Sequence, residues 1–363
     1  MPVSVADVRD MVSDRVLVAL DEHTGRFAAV GAALTDFVAP ARELLGGGKR
    51  LRAQLCAAGW LAAGGGSGEE ATRPVVLAGS ALELFQGTAL VHDDVIDRSL
   101  TRRGLPAAHR RFAADHSGRG WLGDPDDYGS ASAIVLGDLL LAVSAMELER
   151  ARALVPADAG RRAREIYDVM TAEVALGQYL DVRSQDVPWG DDDAGAVERA
   201  RQVIRHKSAG YSVEHPLLLG AALAGADDAL LERLRAVGGP LGEAFQLRDD
   251  ELGVFGDPAV TGKPTGDDLR EGKRTVLLAM TMARATPADR ELVRSRVGHA
   301  DLTAGEVAAL QDLIRRSGAL DAHEELIAER EDAGLRALGE AGVPAEAARL
   351  LESLATALTR RSA

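Results

Sequence analysis

Residues 136–146 read Leu136-Gly137-Asp138-Leu139-Leu140-Leu141-Ala142-Val143-Ser144-Ala145-Met146, and Leu136, Leu139, Leu140, Val143 and Met146 fall at helical spacing. Similar patterns run between Gly- and Pro-containing breaks at Gly64-Gly65-Gly66-Ser67-Gly68, from Trp121 to Gly129, at Pro188-Trp189-Gly190 and from Gly253 to Gly272. None of these breaks is long or biased enough to be a disordered tether, so they read as loops between helices of one bundle. Length alone would suggest two or three domains, but no linker supports that division. The predicted fold is all-α, a single domain over residues 1–363 with a large core. No internal repeat of fixed period is present, and Thr303 to Ala363 predicts solvated amphipathic helices on the bundle exterior.

A formal net charge of -14 disfavours nucleic acid, whose phosphates require a surplus of Lys and Arg. Cys56 is the only cysteine, which rules out an internal disulfide and a multi-thiolate metal site and leaves a core residue. From Met1 to Val30 charged and apolar residues interleave, and no stretch there suits a signal peptide or membrane span. The expectation is a cytoplasmic protein with no integral membrane segment.

Two acidic clusters decide the chemistry: Asp93-Asp94-Val95-Ile96-Asp97 and Asp249-Asp250-Glu251-Leu252-Gly253. Asp93 and Asp97 share one helix face, where like charges cost about 0.2–0.5 kcal/mol unless a cation joins them. Val91, Val95 and Ile96 surround the first cluster, and Ala244-Phe245-Gln246-Leu247 precedes the second, so neither reads as solvated surface. All-oxygen ligands suit Mg²⁺, which takes one or two carboxylates plus water and substrate phosphates. Asp126-Asp127 and Asp191-Asp192-Asp193 lie in loop-like sequence and read as solvated.

Cations form the complementary set: Lys49-Arg50-Leu51-Arg52 after Gly47-Gly48, Arg102-Arg103-Gly104, Lys207, Lys263, and Lys273-Arg274. A diphosphate needs several such donors, planar and bidentate from Arg, point-like from Lys. A nucleotide P-loop is excluded, because Lys49, Lys263 and Lys273 are followed by Arg50, Pro264 and Arg274, never by Ser or Thr.

Together these motifs resemble, in order and over nearly the whole chain, those of the trans-isoprenyl diphosphate synthases, or polyprenyl synthetases. Gly47 to Arg52 is similar to the family's first basic motif. Asp93 to Asp97 with Arg102-Arg103-Gly104 is similar to its first aspartate-rich region. Gly177-Gln178-Tyr179-Leu180-Asp181 and Lys207-Ser208 match its middle. Phe245 to Asp250, Gly262-Lys263 and Asp268 to Thr275 match its second aspartate-rich region. The resemblance implies a helical bundle of the isoprenoid synthase type with a central cavity, assembled as a homodimer.

It further implies that Asp93, Asp97 and Asp249 bind Mg²⁺ bridging an allylic diphosphate, with Gln178 and Asp181 near metal-bound water. Arg102, Lys207, Lys263 and Lys273 would hold that diphosphate, and Lys49, Arg52, Gln86 and Arg103 isopentenyl diphosphate. Lys207, Ser208 and Gln246 would face the developing carbocation. Three positions depart from the pattern: Gly253 stands where Asp is frequent, Ala53 where Pro is common, and Ser208 replaces Thr but keeps the hydroxyl. No histidine or serine nucleophile is required, and His92 reads as structural.

In the family, bulky aromatics at the positions of Thr88 and Ala89 stop growth at C15. Here both are small, and Phe85 lies about 5.4 Å deeper, one further turn. The expected main product is geranylgeranyl diphosphate, C20. The alternatives are farnesyl or longer products, a class I terpene cyclase, whose second metal motif is missing here, and a non-catalytic subunit, which need not keep both clusters.

Overall fold

The computed structural model describes residues 5–189, 193–258 and 264–359. Lys263, Gly262, Asp191 and Asp192 lie outside the described residues. The chain forms two compact units, Met1–Ile166 with Pro216–Leu231, and Tyr167–His215 with Glu232–Ala363.

In the first unit, α1 (Val5–Thr24) leads through a 3-10 segment (Gly25–Val30) into α2 (Ala32–Leu45), α3 (Leu51–Ala62) and α4 (Glu69–Ile96). A hairpin of β1 (Thr101–Arg102) and β2 (Leu105–Pro106) precedes α5 (Ala108–Arg119) and α6 (Pro125–Arg152). That hairpin is the only sheet among the described residues. The expected stripe on α6 packs with α1, α2 and α4: Leu136, Leu140 and Val143 join Val16, Leu20, Leu45, Leu84 and Val91 in one core cluster. Met146, the last residue of the stripe, is 38% exposed, while its neighbour Glu147 is fully buried. The inversion has an electrostatic cause. Arg15 donates to both Glu147 oxygens at 2.8 and 2.7 Å, and His23 Nε2 lies 2.9 Å from Oε1, so the buried acid is paired.

α7 (Ala157–Asp186) passes into the second unit, which continues with α8 (Asp193–Val203) and a π-helical segment (Ile204–Glu214). The next helix, α9 (His215–Leu223), returns the chain to the first unit. There Gly59 of α3 and Gly220 of α9 remove every side-chain spacer: a Cβ on Gly59 would sit 1.9 Å from Leu217 O, and one on Gly220 1.8 Å from Cys56 O. Cys56 is itself fully buried beside this crossing, and burial pushes its thiol up, in keeping with a core role.

Among the described residues the chain continues with α10 (Asp228–Phe255), α11 (Asp267–Glu271), α12 (Val276–Arg284), α13 (Pro287–Arg296), α14 (Ala304–Arg316), α15 (Ala319–Glu340) and α16 (Ala345–Thr359). Val254, Leu277, Leu278 and Val293 form a core with Val307, Leu310, Leu313 and Ile314 of α14. The C-terminal helices are therefore amphipathic, as their sequence predicts, with one face closing the unit's core. Two helices, α4 and α6, are long and apolar enough to cross a membrane, but 89% of the apolar window of α4 and 44% of that of α6 is buried inside the fold.

The glycine crossing sets a stability test. Gly59→Ala must push α3 from α9 backbone to backbone, and overpacking of this kind costs about 1–3 kcal/mol. The urea midpoint of the variant is expected to fall with an unchanged slope.

Candidate active site

α4 carries its acidic cluster to its very end. Asp97 is the C-cap, and Arg98 adopts a left-handed conformation (φ 55°) while Ser99 N–H donates back to Asp94 O at 3.0 Å. This Schellman-type stop fixes Asp93, Asp94 and Asp97 in the last turn. The helix carries no basic residue there, so the carboxylates add to the negative end of the helix dipole. Cations from the neighbouring hairpin answer part of that charge. Arg103 (φ 54°) and Gly104 (φ 75°) are both left-handed, the signature of a two-residue type I′ turn. The turn carries Arg102 onto the cluster: its Nε donates to Asp94 Oδ1 at 2.8 Å, its Nη2 also reaches Asp94, and Asp93 Oδ2 lies 3.5 Å away. Arg103 turns elsewhere, Nη1 donating to Leu44 O and Gly47 O at 2.8 Å each. Partial burial, and then the neighbouring cations Arg50, Arg102 and Arg52, pull its guanidinium below the ordinary range against the opposing pull of Glu83. Cations close enough to disfavour one another mark a place suited to an anion.

The first basic motif lies at the N-terminus of α3. Lys49 is exposed, Arg52 and Ala89 are partly buried, and Gln86, Thr88 and Phe85 are buried on α4. Thr88 Oγ1 donates to Gly137 O of α6 at 3.1 Å, so its side chain faces that helix. His92, read as structural, places Nε2 3.0 Å from Ile134 O, over Gly137, where a Cβ would collide with the ring at 2.1 Å.

In the second unit the acidic cluster again falls near a helix end without a basic residue in the last turn. Asp250 is buried, accepts from Gln246 Nε2 at 2.9 Å, and is pushed well up by burial and then by Asp268. The departure at Gly253 has a local cause: a Cβ there would meet Asp268 Oδ2 at 1.9 Å, so the Asp268 carboxylate fills the space a side chain at 253 would need. Asp268 was not singled out from the sequence, where it read only as part of a motif. Lys273 Nζ lies 3.8 Å from Asp268 Oδ1 and 2.7 Å from Glu271 Oε2. Lys207 Nζ donates to Asp181 Oδ2 at 2.6 Å, and Ser208 follows it on the π-helical segment. Asp249 and Gln178 are carried by α10 and α7. Arg248, between Gln246 and Asp249, instead braces the helices, donating to Glu324 at 2.7 Å through each of Nη1 and Nη2 and to Thr359 O at 2.8 Å.

Oxygen donors, helix-end placement and a carboxyl disfavoured by burial all fit a divalent cation. Among the described residues no group of three His, Cys, Asp or Glu side chains is arranged to hold a metal ion by itself.

Residues 35–314 match the sequence pattern of the Polyprenyl synthetase family. The chain belongs to that family. A geranylgeranyl pyrophosphate synthase from Corynebacterium glutamicum, solved in complex with isoprenyl diphosphate and magnesium, matches with a TM-score of 0.90 at 39% identity, covering 99% of this chain and 100% of that one. The geranylgeranyl diphosphate synthase of Mycobacterium tuberculosis is 31% identical over 81% of this chain and 75% of its own length. The geranylfarnesyl diphosphate synthase of Aeropyrum pernix is 33% identical over 66% and 68%. This polyprenyl synthetase is thus an all-α prenyltransferase, a trans-isoprenyl diphosphate synthase, as its motifs implied.

The polyprenyl synthetase also buries a cation that the sequence groups with the diphosphate donors. Arg50 is left-handed (φ 51°) and buried, with Nε donating to Ser13 Oγ at 3.1 Å, Nη2 to Leu45 O, and Nη1 3.5 Å from Glu83 Oε2. It turns inward between Lys49 and Arg52 and ties the loop before α3 to α1, α2 and α4. Arg50→Met strands Glu83 in the core and is expected to cost about 3–5 kcal/mol. Adding Glu83→Leu should recover much of that loss in the urea midpoint, since the double variant leaves neither member of the pair as an unpartnered buried charge.

Proposed function

We propose that this chain is a Mg²⁺-dependent geranylgeranyl diphosphate synthase, joining isopentenyl diphosphate head to tail to allylic diphosphates, with C20 as its main product. The observation that carries the proposal is the helix-end placement of both acidic clusters beside cations. Asp93, Asp97 and Asp249 are the residues to hold Mg²⁺, whose bound charge would neutralise a departing diphosphate. Arg102, Lys207 and Lys273, with Lys263, bind that diphosphate where negative charge builds. Lys49, Arg52, Gln86 and Arg103 orient isopentenyl diphosphate so that its double bond attacks the allylic carbon. Lys207, Ser208 and Gln246 face the cation, and the released diphosphate takes the proton.

Product length follows from α4. Ala89 is small and half-buried, Thr88 turns toward α6, and Phe85 is a buried aromatic one turn deeper, so the growing chain passes the C15 positions before it meets a floor. The C20 products named for the Corynebacterium and Mycobacterium proteins support this reading. The Aeropyrum protein's longer product favours a second one, in which Phe85 lies aside and growth continues.

The reading extends to assembly and location. Residues 1–363 act as one domain, since the chain passes between its two units at 166/167, 215/216 and 231/232. It works as a cytoplasmic homodimer, for which Ile134, Val135, Leu141 and Met146 leave a broad exposed apolar face on α6.

Incubated with Mg²⁺, isopentenyl diphosphate and each allylic primer, the protein is expected to give C20 by mass spectrometry and nothing after chelation with EDTA. A longer product would keep the coupling chemistry and reject the floor. Ala89→Phe is expected to shift the product toward C15. It is a cleaner probe than Thr88→Phe, which would also crowd α6 at Gly137, and an unchanged distribution would sink the floor assignment.

A further inference from the structure

We propose that Glu173 is a positioning residue whose carboxylate clasps His206 and His215 and thereby aims Lys207 and Ser208. The inference rests on the reading of Lys207 as a substrate-facing cation.

The segment that carries Lys207 and Ser208 is π-helical from Ile204 to Glu214. Such winding is rare, is seen mostly as single turns inside α-helices, and is frequent at functional sites. An eleven-residue stretch of it requires support from outside itself. Glu173 supplies that support from α7. Its Oε1 lies 2.7 Å from His206 Nδ1, and its Oε2 lies 2.7 Å from His215 Nε2. One histidine stands near the start of the π segment and the other just beyond its end, so a single carboxylate spans the irregular stretch with both oxygens.

The rest of the α7 face fits the same segment. Glu173, Gly177 and Asp181 recur at four-residue steps and so line one side of the helix. The first holds His206 and His215. At the second, a Cβ would sit 2.3 Å from Lys207 N, so only glycine admits the π backbone at this distance. The third accepts from Lys207 Nζ at 2.6 Å. Burial works to raise the Glu173 carboxyl, yet the hydrogen bonds from His215 and His206 together hold it below its ordinary range, consistent with a charged acceptor. Without the clasp, Gly177 and Asp181 still meet Lys207, but the turn on either side of it loses its anchor. A displacement of about 1 Å at a reacting group can cost about 100-fold in rate.

A double-mutant cycle on kcat tests this. Glu173→Ala is expected to lower kcat about 10- to 100-fold with little change in KM for isopentenyl diphosphate, and Glu173→Gln to recover most of the loss, since an amide can accept from one ring and donate to the other. On a Lys207→Ala background Glu173→Ala should add almost nothing. If the two losses multiply, Glu173 does not act through Lys207 and the clasp is overturned while the role of Lys207 stands. If Lys207→Ala leaves kcat intact, the underlying reading falls and the clasp with it. Should Glu173→Ala fail to fold, His206→Ala opens the clasp at its exposed end and serves in the same cycle.

Discussion

Negative charge held at the carboxyl ends of helices is the constraint around which this protein is built. α4 and α10 each bring acidic residues into or next to their final turns, where the helix dipole already disfavours anions. Each unit answers with its own devices. In the first, a tight turn delivers Arg102 to Asp93 and Asp94. In the second, Lys207 meets Asp181 and Lys273 meets Glu271, while Asp250 is pushed toward its neutral form. Acidic groups gathered in this way, with one carboxyl disfavoured by burial, are a pattern that clusters at functional sites.

Cations that are adjacent in sequence divide their work. Arg102 faces the acidic cluster while Arg103 holds the carbonyls of Leu44 and Gly47. Lys49 is exposed while Arg50 is sunk into the core. Both splits depend on left-handed residues, Arg50 and Arg103, which turn the chain sharply enough to send neighbouring side chains in different directions. Neighbouring cations of one basic motif therefore enter different surroundings, and the motif's charge count does not by itself say where each group is used.

The helical class and the α6 stripe were legible because hydrophobic period is a local signal: Leu136, Leu140 and Val143 are buried as their spacing predicts. The acidic clusters were legible for a similar reason, each being contiguous in sequence. What escaped depends on distant partners. Glu147 is buried only because Arg15 arrives from another helix. Asp268 explains Gly253 only once the short helix α11 lies against α10. Glu173 lies four residues before the motif that begins at Gly177, outside any acidic cluster, and gains meaning only from two histidines later in the chain.

The glycine contact between α3 and α9 also bears on how the chain is made. Pro216–Leu231 belongs with Met1–Ile166, so the first unit cannot be completed as a contiguous piece emerging from the ribosome. While residues 167–215 are being synthesised, over several seconds at about 5–20 residues per second, α3 must wait with its Gly59 face bare. Nascent chains in that interval expose apolar surface that the finished unit hides, and they are the stage at which a chaperone has most to protect.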